Sequence, residues 1–405
     1  MVERSAKTDM KEQLAAFGIG KERKKPPFSH LNFTAIINTE HSAGLAGLRP
    51  DFRPAMTDLL TKTTLSSFTP QRPSSRRSSH FTKARNIFRM TQKVITVFGA
   101  TGNQGGSTAS VIFSSPDLSA KYKVRAITRD PSKPAAQALA SKGAELAKAD
   151  LDDLESVRSA IAGSYGVFAV TNYWEKASKS AEIQQGKNIV DACKEEGVKH
   201  LVWSCLPNVT KLTDGELSKV EHFDSKAEVA EYAEQVKGDD MIVSYFMPGF
   251  FMSNLTQQFQ PDKEGTGVVT LSQPWNPTET WVPMLDIQRD TGLFTAGLFE
   301  AGSKANGVFV QGVSEWVHPK DITDQLSQIT GREVKFVEKP ASVESAAQLG
   351  NKIAEELTQN MILIRDYSYF GKGSEKKQGE SDEFLLPGAK RNTWKAFAQN
   401  IQWQW

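Results

Sequence analysis

The feature that most constrains the fold of this chain is residues 93–105, KVITVFGATGNQG, in which a short apolar run leads into three glycines at intervals of three. The apolar run, residues 94–98, predicts a buried parallel strand, and residues 107–113 continue as a helix. A strand, a glycine turn and a helix in immediate succession are typical of a unit that binds a dinucleotide. The alternative is a glycine-rich loop of another kind of α/β protein, which the flanking strand and helix disfavour.

The three glycines have separate roles in such a turn. Gly99 allows the tight turn after the strand, Gly102 lets backbone N–H groups approach a pyrophosphate, and Gly105 lets the helix pack close to the sheet. The N-terminus of the helix then offers unpaired N–H groups and the positive end of its dipole to the anion. We therefore predict that a dinucleotide binds at this turn.

Composition excludes several classes of protein. The chain has 405 residues and a net charge of +2, so no global field attracts nucleic acid or a membrane surface. No apolar run approaches the roughly 18–20 residues of a membrane helix. Two cysteines, Cys193 and Cys205, are too few for a disulfide framework and fit a reducing compartment. We expect a cytoplasmic protein, or alternatively a nuclear one, with no metal site and no direct contact to nucleic acid or membrane.

Residues 1–89 differ in composition from the rest of the chain. Residues 66–89 are rich in serine and basic residues and contain no acid, so they bury too little apolar surface to offset chain entropy, and we predict disorder. Three functions compete here: an organelle presequence, which the early acidic residues disfavour; a basic-directed kinase site at residues 76–79, RRSS; and nuclear import through the Lys/Arg clusters. Met90 is an alternative start.

Strand and helix patterns alternate from residue 90 to residue 248. After the first strand, strands are predicted at residues 122–128, 144–148, 165–170, 199–204 and 241–246, with helices between them that include residues 134–141, 177–196 and 219–236. Such alternation is typical of right-handed crossovers between parallel strands. The expected fold class is α/β, with a Rossmann-type doubly wound parallel sheet.

The residues after the second strand are expected to contact the 2′ position of the adenosine ribose. An acid there favours NAD, whereas this chain has Arg129 and Lys133, which suit the 2′-phosphate of NADP. Asp130 keeps NAD open because its carboxylate can accept the 2′-hydroxyl, and a solvated basic loop is the third alternative. We predict NADP(H) as the preferred cofactor and NAD(H) as the alternative.

Two further strand ends carry polar residues. Ligands in open α/β sheets lie outside the carboxyl ends of the strands, so Asp150 after the third strand and residues 171–174 after the fourth are expected at the cofactor. Asp150 is placed for the adenine side, or serves instead as a helix N-cap. The polar and aromatic residues 171–174, TNYW, are expected to face the nicotinamide half.

Five motifs in this order, GATGNQGG, TRDPSK, VTNYWE, EHFDSKAEVAEY and MPGFFMSN, resemble the NmrA-like family, atypical members of the short-chain dehydrogenase/reductase superfamily. The resemblance spans residues 90–405. It implies a Rossmann domain, residues 90–248, and a smaller C-terminal α/β lobe, residues 249–405, some of whose elements return to the Rossmann sheet. Some members of the family are regulators that bind NAD(P) and partner proteins, including transcription factors, and others are oxidoreductases or redox sensors.

The resemblance also implies a set of cofactor contacts, most of them at strand ends. These are Gly99, Ala100, Thr101, Gly102, Asn103, Gln104 and Gly105 at the glycine turn, Arg129 and Lys133 at the 2′ position, Asp150 and Leu151 at the adenine, Thr171, Asn172 and Tyr173 in the middle, Lys226 at the ribose, and Phe250, Phe251, Met252, Ser253 and Asn254 over the nicotinamide.

Ordinary members of that superfamily carry a Tyr and a Lys four residues apart on a helix, and a Ser on the fifth strand. This chain keeps the spacing with His222 at the Tyr position and Lys226 at the Lys position, and Ser204 lies near the serine position. In an enzyme, His222 is the general acid, Lys226 anchors the cofactor and Ser204 orients a substrate carbonyl. If the loss of Tyr abolished catalysis, the site only senses which nucleotide is bound.

We expect an NADP(H)-binding sensor of nucleotide or redox state that regulates a partner protein, for example a transcription factor. The alternative function is an NADPH-dependent oxidoreductase of a small carbonyl or enone substrate. Cys205, beside the site, is either a redox-sensitive thiol or a buried inert cysteine.

The C-terminal part has a less regular pattern. We predict a Pro- and Thr-rich loop around residues 274–283, a helix at 286–299, a mainly helical stretch at 343–365, a mobile charged loop at 371–382 and a terminal helix at 393–405.

Overall fold

The computed structural model describes residues 91–262 and 265–405. The predicted disordered extension, residues 1–89, lies outside the described residues, together with the kinase site, the import signal and the alternative start. Gln92–Trp405 fall within one unit of contacts. The predicted division between residues 248 and 249 stays a prediction. Within the described part of the chain, no helix is long and apolar enough to cross a bilayer.

The regular elements are numbered in chain order. The strands are β1 (Lys93–Val97), β2 (Tyr122–Thr128), β3 (Glu145–Lys148), β4 (Gly166–Ala169), β5 (His200–Ser204), β6 (Ile242–Pro248), β7 (Phe250–Phe251), β8 (Phe259–Pro261), β9 (Val269–Gln273), β10 (Val282–Leu285), β11 (Phe309–Gly312), β12 (Glu315–Val317) and β13 (Val334–Glu338). The α-helices are α1 (Asn103–Ser114), α2 (Pro116–Lys121), α3 (Pro134–Ser141), α4 (Leu154–Ile161), α5 (Lys179–Glu195), α6 (Val209–Leu212), α7 (Glu221–Val236), α8 (Met252–Leu255), α9 (Thr291–Ala301), α10 (Pro319–Thr330), α11 (Val343–Ala347), α12 (Lys352–Tyr367), α13 (Gln378–Asp382) and α14 (Trp394–Gln399).

The main sheet has seven strands in the order β11-β6-β5-β4-β1-β2-β3, and every neighbouring pair is parallel. Strands β1 to β6 therefore follow the Rossmann order, in which the chain reverses its direction of growth between β1 and β4. The seventh strand, β11, comes from the C-terminal part and pairs with β6, with Phe309 opposite Tyr245. The predicted fold class, a doubly wound α/β sheet, is confirmed.

Helices cover both faces of this sheet. Successive side chains of a strand point to opposite faces, so a strand that is apolar throughout has to be covered on both. On β5, Leu201 and Trp203 pack with α4, α5 and α7, whereas Val202 packs on the other face with α1 and α9. All five residues of β5 are buried, as expected for a central parallel strand. The carboxyl ends of β1, β4 and β5 thus lie side by side at one edge of the sheet.

Two small sheets, β12-β10-β7 and β13-β9-β8, lie in the C-terminal part. Together with α8, α10, α12 and α14 they enclose a core separate from those on the two faces of the main sheet, and it contains the fully buried Trp275 and Trp394. The indole N–H of Trp275 donates to the carbonyl of Met361 at 3.1 Å, and that of Trp394 donates to the carbonyl of Ile322 at 3.0 Å. Both rings can therefore be buried without an unpaired donor.

Two predictions for the middle of the C-terminal part are wrong. The Pro- and Thr-rich stretch ends in a strand, β10, whose four residues are all buried between β12 and β7. The helix predicted at residues 286–299 begins only at Thr291. The reason is local, because the backbone N–H of Asp286 donates to the hydroxyl of Ser314 at 2.9 Å and residues 286–290 form a turn.

Residues 343–405 also depart from the predicted pattern of helices and loop. The stretch 343–365 contains two helices, because Gly350 adopts a φ of +62° and the Asn351 side chain caps a new helix, α12. The predicted mobile loop, residues 371–382, contains a 3₁₀ turn and the short helix α13. The terminal helix ends at Gln399, where the chain turns back and the indole N–H of Trp403 donates to the carbonyl of Ala398 at 3.0 Å.

Candidate functional site

The glycine turn joins β1 to α1 and depends on the absence of two side chains. Gly99 has a φ of +61°, and a Cβ there would lie 2.8 Å from Cγ1 of Val170. A Cβ on Gly105 would lie 2.4 Å from the carbonyl oxygens of both Phe98 and Gly99. Gly102 is the N-cap of α1 and brings no side chain to cap it. The first N–H groups of α1 therefore stay available to an anion.

Two buried amides occupy the first turn of α1, which begins at Asn103 rather than at the predicted residue 107. Gln104 Oε1 accepts a hydrogen bond from Ser204 Oγ at 2.8 Å, so the end of β5 holds this turn. Asn103 Oδ1 accepts one from Gln288 Nε2 at 2.8 Å, while Asn103 Nδ2 is buried without a partner among the described residues. An unpaired buried donor beside free helix N–H groups suits the pyrophosphate of a dinucleotide.

The loop after β2 holds the residues predicted to contact the 2′ position. Arg129 Nη1 lies 2.5 Å from Glu175 Oε1, and both side chains are exposed, so the pair contributes little and leaves Arg129 available to a phosphate. Asp130 Oδ1 accepts hydrogen bonds from the hydroxyl of Ser132 at 2.6 Å and from its N–H at 2.9 Å, which lower the pKa of Asp130. One oxygen of Asp130 is therefore used within its own loop, whereas Lys133 is exposed.

The adenine side follows β3. Asp150 is exposed, and its Oδ1 accepts the N–H of Asp152 at 3.1 Å. The N-cap of α4 is Asp153, which accepts the N–H of Ser156 at 3.2 Å, so Asp150 is not the cap of that helix. Leu151 is half-buried and packs against the core under α4 and α5.

A buried carboxylate, Glu182 on α5, organises the cluster after β4. One of its oxygens accepts hydrogen bonds from Thr171 Oγ1, at 2.7 Å, and from the ammonium of Lys226, and the other accepts from the hydroxyl of Ser225. Glu182 and Lys226 are 2% and 7% exposed. Because the pair is shielded from water, removal of either partner leaves an uncompensated buried charge.

Tyr173 places its hydroxyl between two other glutamates. The oxygen lies 3.0 Å from Glu221 Oε2 and 3.0 Å from Glu356 Oε2. Burial and the two carboxylates raise the pKa of Tyr173 well above its usual value, so the phenol keeps its proton. The short turn that carries Tyr173 is capped by Asn172, whose Oδ1 accepts the N–H of Trp174 at 3.1 Å.

The imidazole of His222 is held by Glu356. Nδ1 lies 2.7 Å from Glu356 Oε1, which also accepts the backbone N–H of His222 at 2.8 Å. The rings of Trp174 and Phe223 enclose the imidazole, with centroids 4.9 Å and 4.8 Å away, and its side chain is 15% exposed. His222 and Lys226 thus lie one helical turn apart but bind different carboxylates.

The three predicted catalytic residues are not joined directly. Among the described residues no hydrogen bond links Ser204 to His222 or Lys226. Ser204 is fully buried, and its hydroxyl donates to Gln104 of the glycine turn. Ser204 thus positions the turn, and its predicted contact with a substrate carbonyl stays a prediction.

The predicted cover of the nicotinamide divides into two groups. Phe250 and Met252 are buried in the core of the C-terminal part, and Phe250 meets Trp275 edge to face with ring centroids 5.8 Å apart. Phe251, Ser253 and Asn254 are half-buried. Phe250 and Met252 hold β7 and α8 against the C-terminal core in this structure, which leaves the half-buried residues for contact with a ligand.

Cys205 follows β5 and is fully buried. Burial raises the pKa of its thiol to about 12. Because the thiolate is the reactive form, the inert alternative describes this cysteine and the redox-sensitive one does not.

Two further predicted contacts of the glycine turn differ in their exposure to solvent. Thr101 is exposed at the glycine turn, and Ala100 is buried beneath it. Within residues 91–262 and 265–405 no group of three or more His, Cys, Asp or Glu side chains is arranged to hold a metal ion.

Comparison with known proteins identifies the family. A family model described as the NmrA-like family matches residues 91–398. The chain belongs to the NmrA-like family. The match covers the glycine turn, the loop after β2, the clusters of Glu182 and Glu356, and almost all of the C-terminal part. The resemblance seen in the five sequence motifs is therefore confirmed.

Relatives in the NmrA-like family carry names of oxidoreductases. The chain is 33% identical over 259 residues to the NmrA-like family domain-containing oxidoreductase ptmS of Penicillium ochrochloron, covering 61% of this chain and 76% of the relative. It is 31% identical over 333 residues to the NmrA-like family domain-containing oxidoreductase malD of Malbranchea aurantiaca, covering 78% of this chain and 97% of the relative.

Solved structures with the same fold include NmrA, a negative transcriptional regulator. Its complex with NADP superposes with a TM-score of 0.63, and its complex with NAD with a TM-score of 0.62. Both are 20% identical to this chain and cover 76% of it and 95% of NmrA. At this identity the likeness shows the fold alone.

Sequence reasoning missed the carboxylates that organise the site. Glu182 meets Lys226 from 44 residues away, and Glu356 meets His222 from 134 residues away. Neither glutamate lies in a motif, and a charged residue on a helix usually faces solvent. A buried lysine and a largely buried histidine both require hydrogen-bond partners, but only the tertiary structure shows which residues these are.

Proposed function

We propose that the chain is an NAD(P)(H)-dependent oxidoreductase that reduces a small carbonyl or enone, with NADP(H) as its preferred cofactor. The observation that carries the proposal is the pairing of His222 with the buried Glu356 one helical turn before Lys226. It places a ring that can donate a proton beside the residue that is expected to hold the cofactor ribose. The names of the relatives at 31–33% identity support the same activity.

Reduction of a carbonyl needs a hydride at carbon and a proton at oxygen. Bound NADPH supplies the hydride. The chain supplies the proton from the imidazole of His222, a side chain that commonly acts as a general acid. Lys226 offers an ammonium to the ribose, and Trp174 with Phe223 excludes water from most of the imidazole.

The preference for NADP(H) rests on the loop after β2. Arg129 and Lys133 are exposed there, and Ser132 already donates twice to Oδ1 of Asp130. A 2′-phosphate gains two cations at this position, whereas a 2′-hydroxyl gains a single, partly used carboxylate. This arrangement supports NADP(H) over NAD(H).

The test is turnover of NADPH by the full chain with a panel of small aldehydes, ketones and enones. We expect His222→Phe to lower kcat by about 10²- to 10⁴-fold, the usual contribution of a positioned proton donor, with little change in NADPH affinity. His318→Phe is the matched control, because the ring of His318 lies tilted against Trp281 with centroids 3.8 Å apart and its Nδ1 binds the carbonyl of Thr280 at 2.9 Å, and neither partner is a predicted site residue. Tight binding of NADPH without turnover of any substrate would refute the reductase.

The second candidate is a sensor that regulates a partner protein, in the cytoplasm or nucleus. The specific observation in its favour is that the usual Tyr position is His222 and that the hydroxyl of Ser204 is occupied by Gln104. Calorimetric titration of the full chain with NADPH, NADP, NADH and NAD tests it. A difference of tenfold or more between oxidised and reduced forms, without turnover, supports sensing; equal affinities oppose it.

A further inference from the structure

Glu356 on α12 is a buried carboxylate that binds two residues of the candidate site, Tyr173 and His222. It is 1% exposed, its Oε1 faces Nδ1 of His222 at 2.7 Å, and its Oε2 faces the hydroxyl of Tyr173 at 3.0 Å. In the described part of the chain no Lys or Arg forms an ion pair with Glu356; its only ion-pair partner is His222. This distinguishes it from Glu182, which binds the ammonium of Lys226.

The geometry fixes which nitrogen of His222 carries a hydrogen. An ionised carboxylate only accepts hydrogen bonds, so the contact at 2.7 Å requires a hydrogen on Nδ1. The backbone N–H of His222 donates to the same oxygen at 2.8 Å, which fixes the ring relative to the carboxylate. Nε2 has no hydrogen-bond partner among the described residues, so it is the nitrogen that remains for a substrate.

We propose that Glu356 is the positioning residue of the reductase: it holds Nδ1–H of His222 so that Nε2–H is the proton given to the substrate oxygen. This inference rests on the proposed function. The carbonyl carbon, or the β-carbon of an enone, takes the hydride that NADPH would supply in becoming NADP⁺. The C=O electron pair moves to oxygen, which takes the proton from Nε2. In an enone the C=C pair shifts to the bond between the α-carbon and the carbonyl carbon, and the enol so formed tautomerises to the saturated carbonyl. The imidazolium becomes a neutral imidazole that keeps Nδ1–H on Glu356, and a solvent proton restores Nε2–H.

Tyr173 supports Glu356 and supplies an internal control. Its single phenolic hydrogen lies between Glu356 and Glu221, and Glu221 also accepts a hydrogen bond from the ammonium of Lys352 at 2.7 Å. Burial alone would raise the pKa of Glu221, but the hydrogen bonds from Lys352 and Tyr173 outweigh it and lower that pKa. Glu221 is thus stabilised as an anion without His222, whereas Glu356 is not paired with any lysine.

The experiment compares Glu356→Leu with Glu221→Leu in the full chain. Each variant removes one of the two carboxylates at Tyr173, but only Glu356→Leu removes the acceptor of Nδ1–H, so nothing there holds the hydrogen on Nδ1. We expect kcat to fall at least about 100-fold in Glu356→Leu, with the Kd of NADPH unchanged within about threefold. In Glu221→Leu we expect kcat within about threefold of the wild type.

A second readout does not depend on turnover. The ¹⁵N imidazole resonances of His222, assigned by their loss in His222→Phe, are expected to show Nδ1–H in the neutral ring of the wild type and in Glu221→Leu, and a shift towards Nε2–H in Glu356→Leu. Glu356→Asp, which keeps the charge on a side chain one methylene shorter, is expected to keep the wild-type tautomer and an intermediate kcat. It also serves if Glu356→Leu does not fold.

The outcomes separate this inference from the proposed function. If the wild type reduces no substrate, the oxidoreductase is refuted and the catalytic part of the inference with it, while the ¹⁵N spectra still decide whether Glu356 sets the tautomer. Substrate turnover in the wild type together with an unchanged tautomer in Glu356→Leu overturns the positioning role. A changed tautomer with unchanged kcat overturns it equally.

Discussion

Replacement of Gly105 by alanine should destabilise this chain, although the residue is helical and alanine is the best helix former. A Cβ at this position would lie 2.4 Å from the carbonyl oxygens of Phe98 and Gly99, about 1 Å inside normal contact distance. Both oxygens belong to the backbone of the glycine turn and cannot rotate away. We therefore take the upper end of the usual overpacking cost, about 3 kcal/mol, from which helix propensity returns up to about 1 kcal/mol. The expected net loss is about 2 kcal/mol.

The adjacent residue provides the control. A Cβ on Gly106 would meet only the carbonyl oxygen of Ala100, at 3.4 Å, so Gly106→Ala adds the same methyl group without a clash. It should gain up to about 1 kcal/mol from helix propensity. The two variants are expected to differ in their free energy of unfolding by about 3 kcal/mol.

The assay is urea unfolding of the full chain followed by circular dichroism, without nucleotide, so that ligand binding does not shift the midpoint. Calorimetric titration with NADPH should show weaker binding in Gly105→Ala, because α1 must move away from the turn that is expected to bind the pyrophosphate. Equal unfolding free energies for the two variants would refute the argument that the Gly105 contact forces the backbone apart.

Three further predictions test other parts of the site. Arg129→Glu should weaken NADP binding by about 10- to 100-fold and leave NAD binding nearly unchanged, measured by calorimetry against Arg158→Glu on α4; equal losses for both nucleotides would contradict a 2′-phosphate contact. Glu182→Ala should lower the free energy of unfolding by about 3–5 kcal/mol, because it leaves the buried ammonium of Lys226 without a partner. Glu228→Ala is the control: it breaks an ion pair with Lys179 between two partly exposed side chains and should cost less than about 1 kcal/mol. Similar losses of the two variants in urea unfolding would be inconsistent with a desolvated pair. Burial raises the pKa of Asp290 above its usual 3.8, so the native state binds a proton that the unfolded chain has already lost, and this contribution to stability declines as pH rises from 3.8 through the raised value; Asp290→Asn should remove that slope, and an unchanged pH profile would count against it.

The nucleotide-binding half of the fold could be predicted because its signals are contiguous in sequence. The apolar run of β1, the glycines and the start of α1 follow one another within about fifteen residues, and the parallel pairing of the strands follows from the alternation of strands and helices. The structure confirms that sheet, and the contacts of Gly99 and Gly105 show why two of the glycines are needed.

The rest of the site could not be predicted because its contacts are distant in sequence. Glu356 reaches His222 from a helix in the C-terminal part, where the predicted helix 343–365 is broken at Gly350. The break matters, because Asn351 caps the helix that carries Glu356. Hydrophobic periodicity reports which face of a helix is buried, but it does not report that a glutamate on that face is buried too.

The contacts of α9 with α1 and of β11 with β6 have a consequence for synthesis of the chain. Helix α1 packs on α9, where the N–H of Gly292 donates to Ser107 Oγ at 2.9 Å and the hydroxyls of Thr108 and Thr295 lie 2.9 Å apart. A ribosome has therefore to deliver about two hundred residues after the glycine turn before the helix that follows it has its neighbour. While it emerges, the nucleotide-binding half therefore lacks the packing of α9 on α1, and a nascent chain stalled near residue 250 would expose the edge of β6 with which β11 pairs.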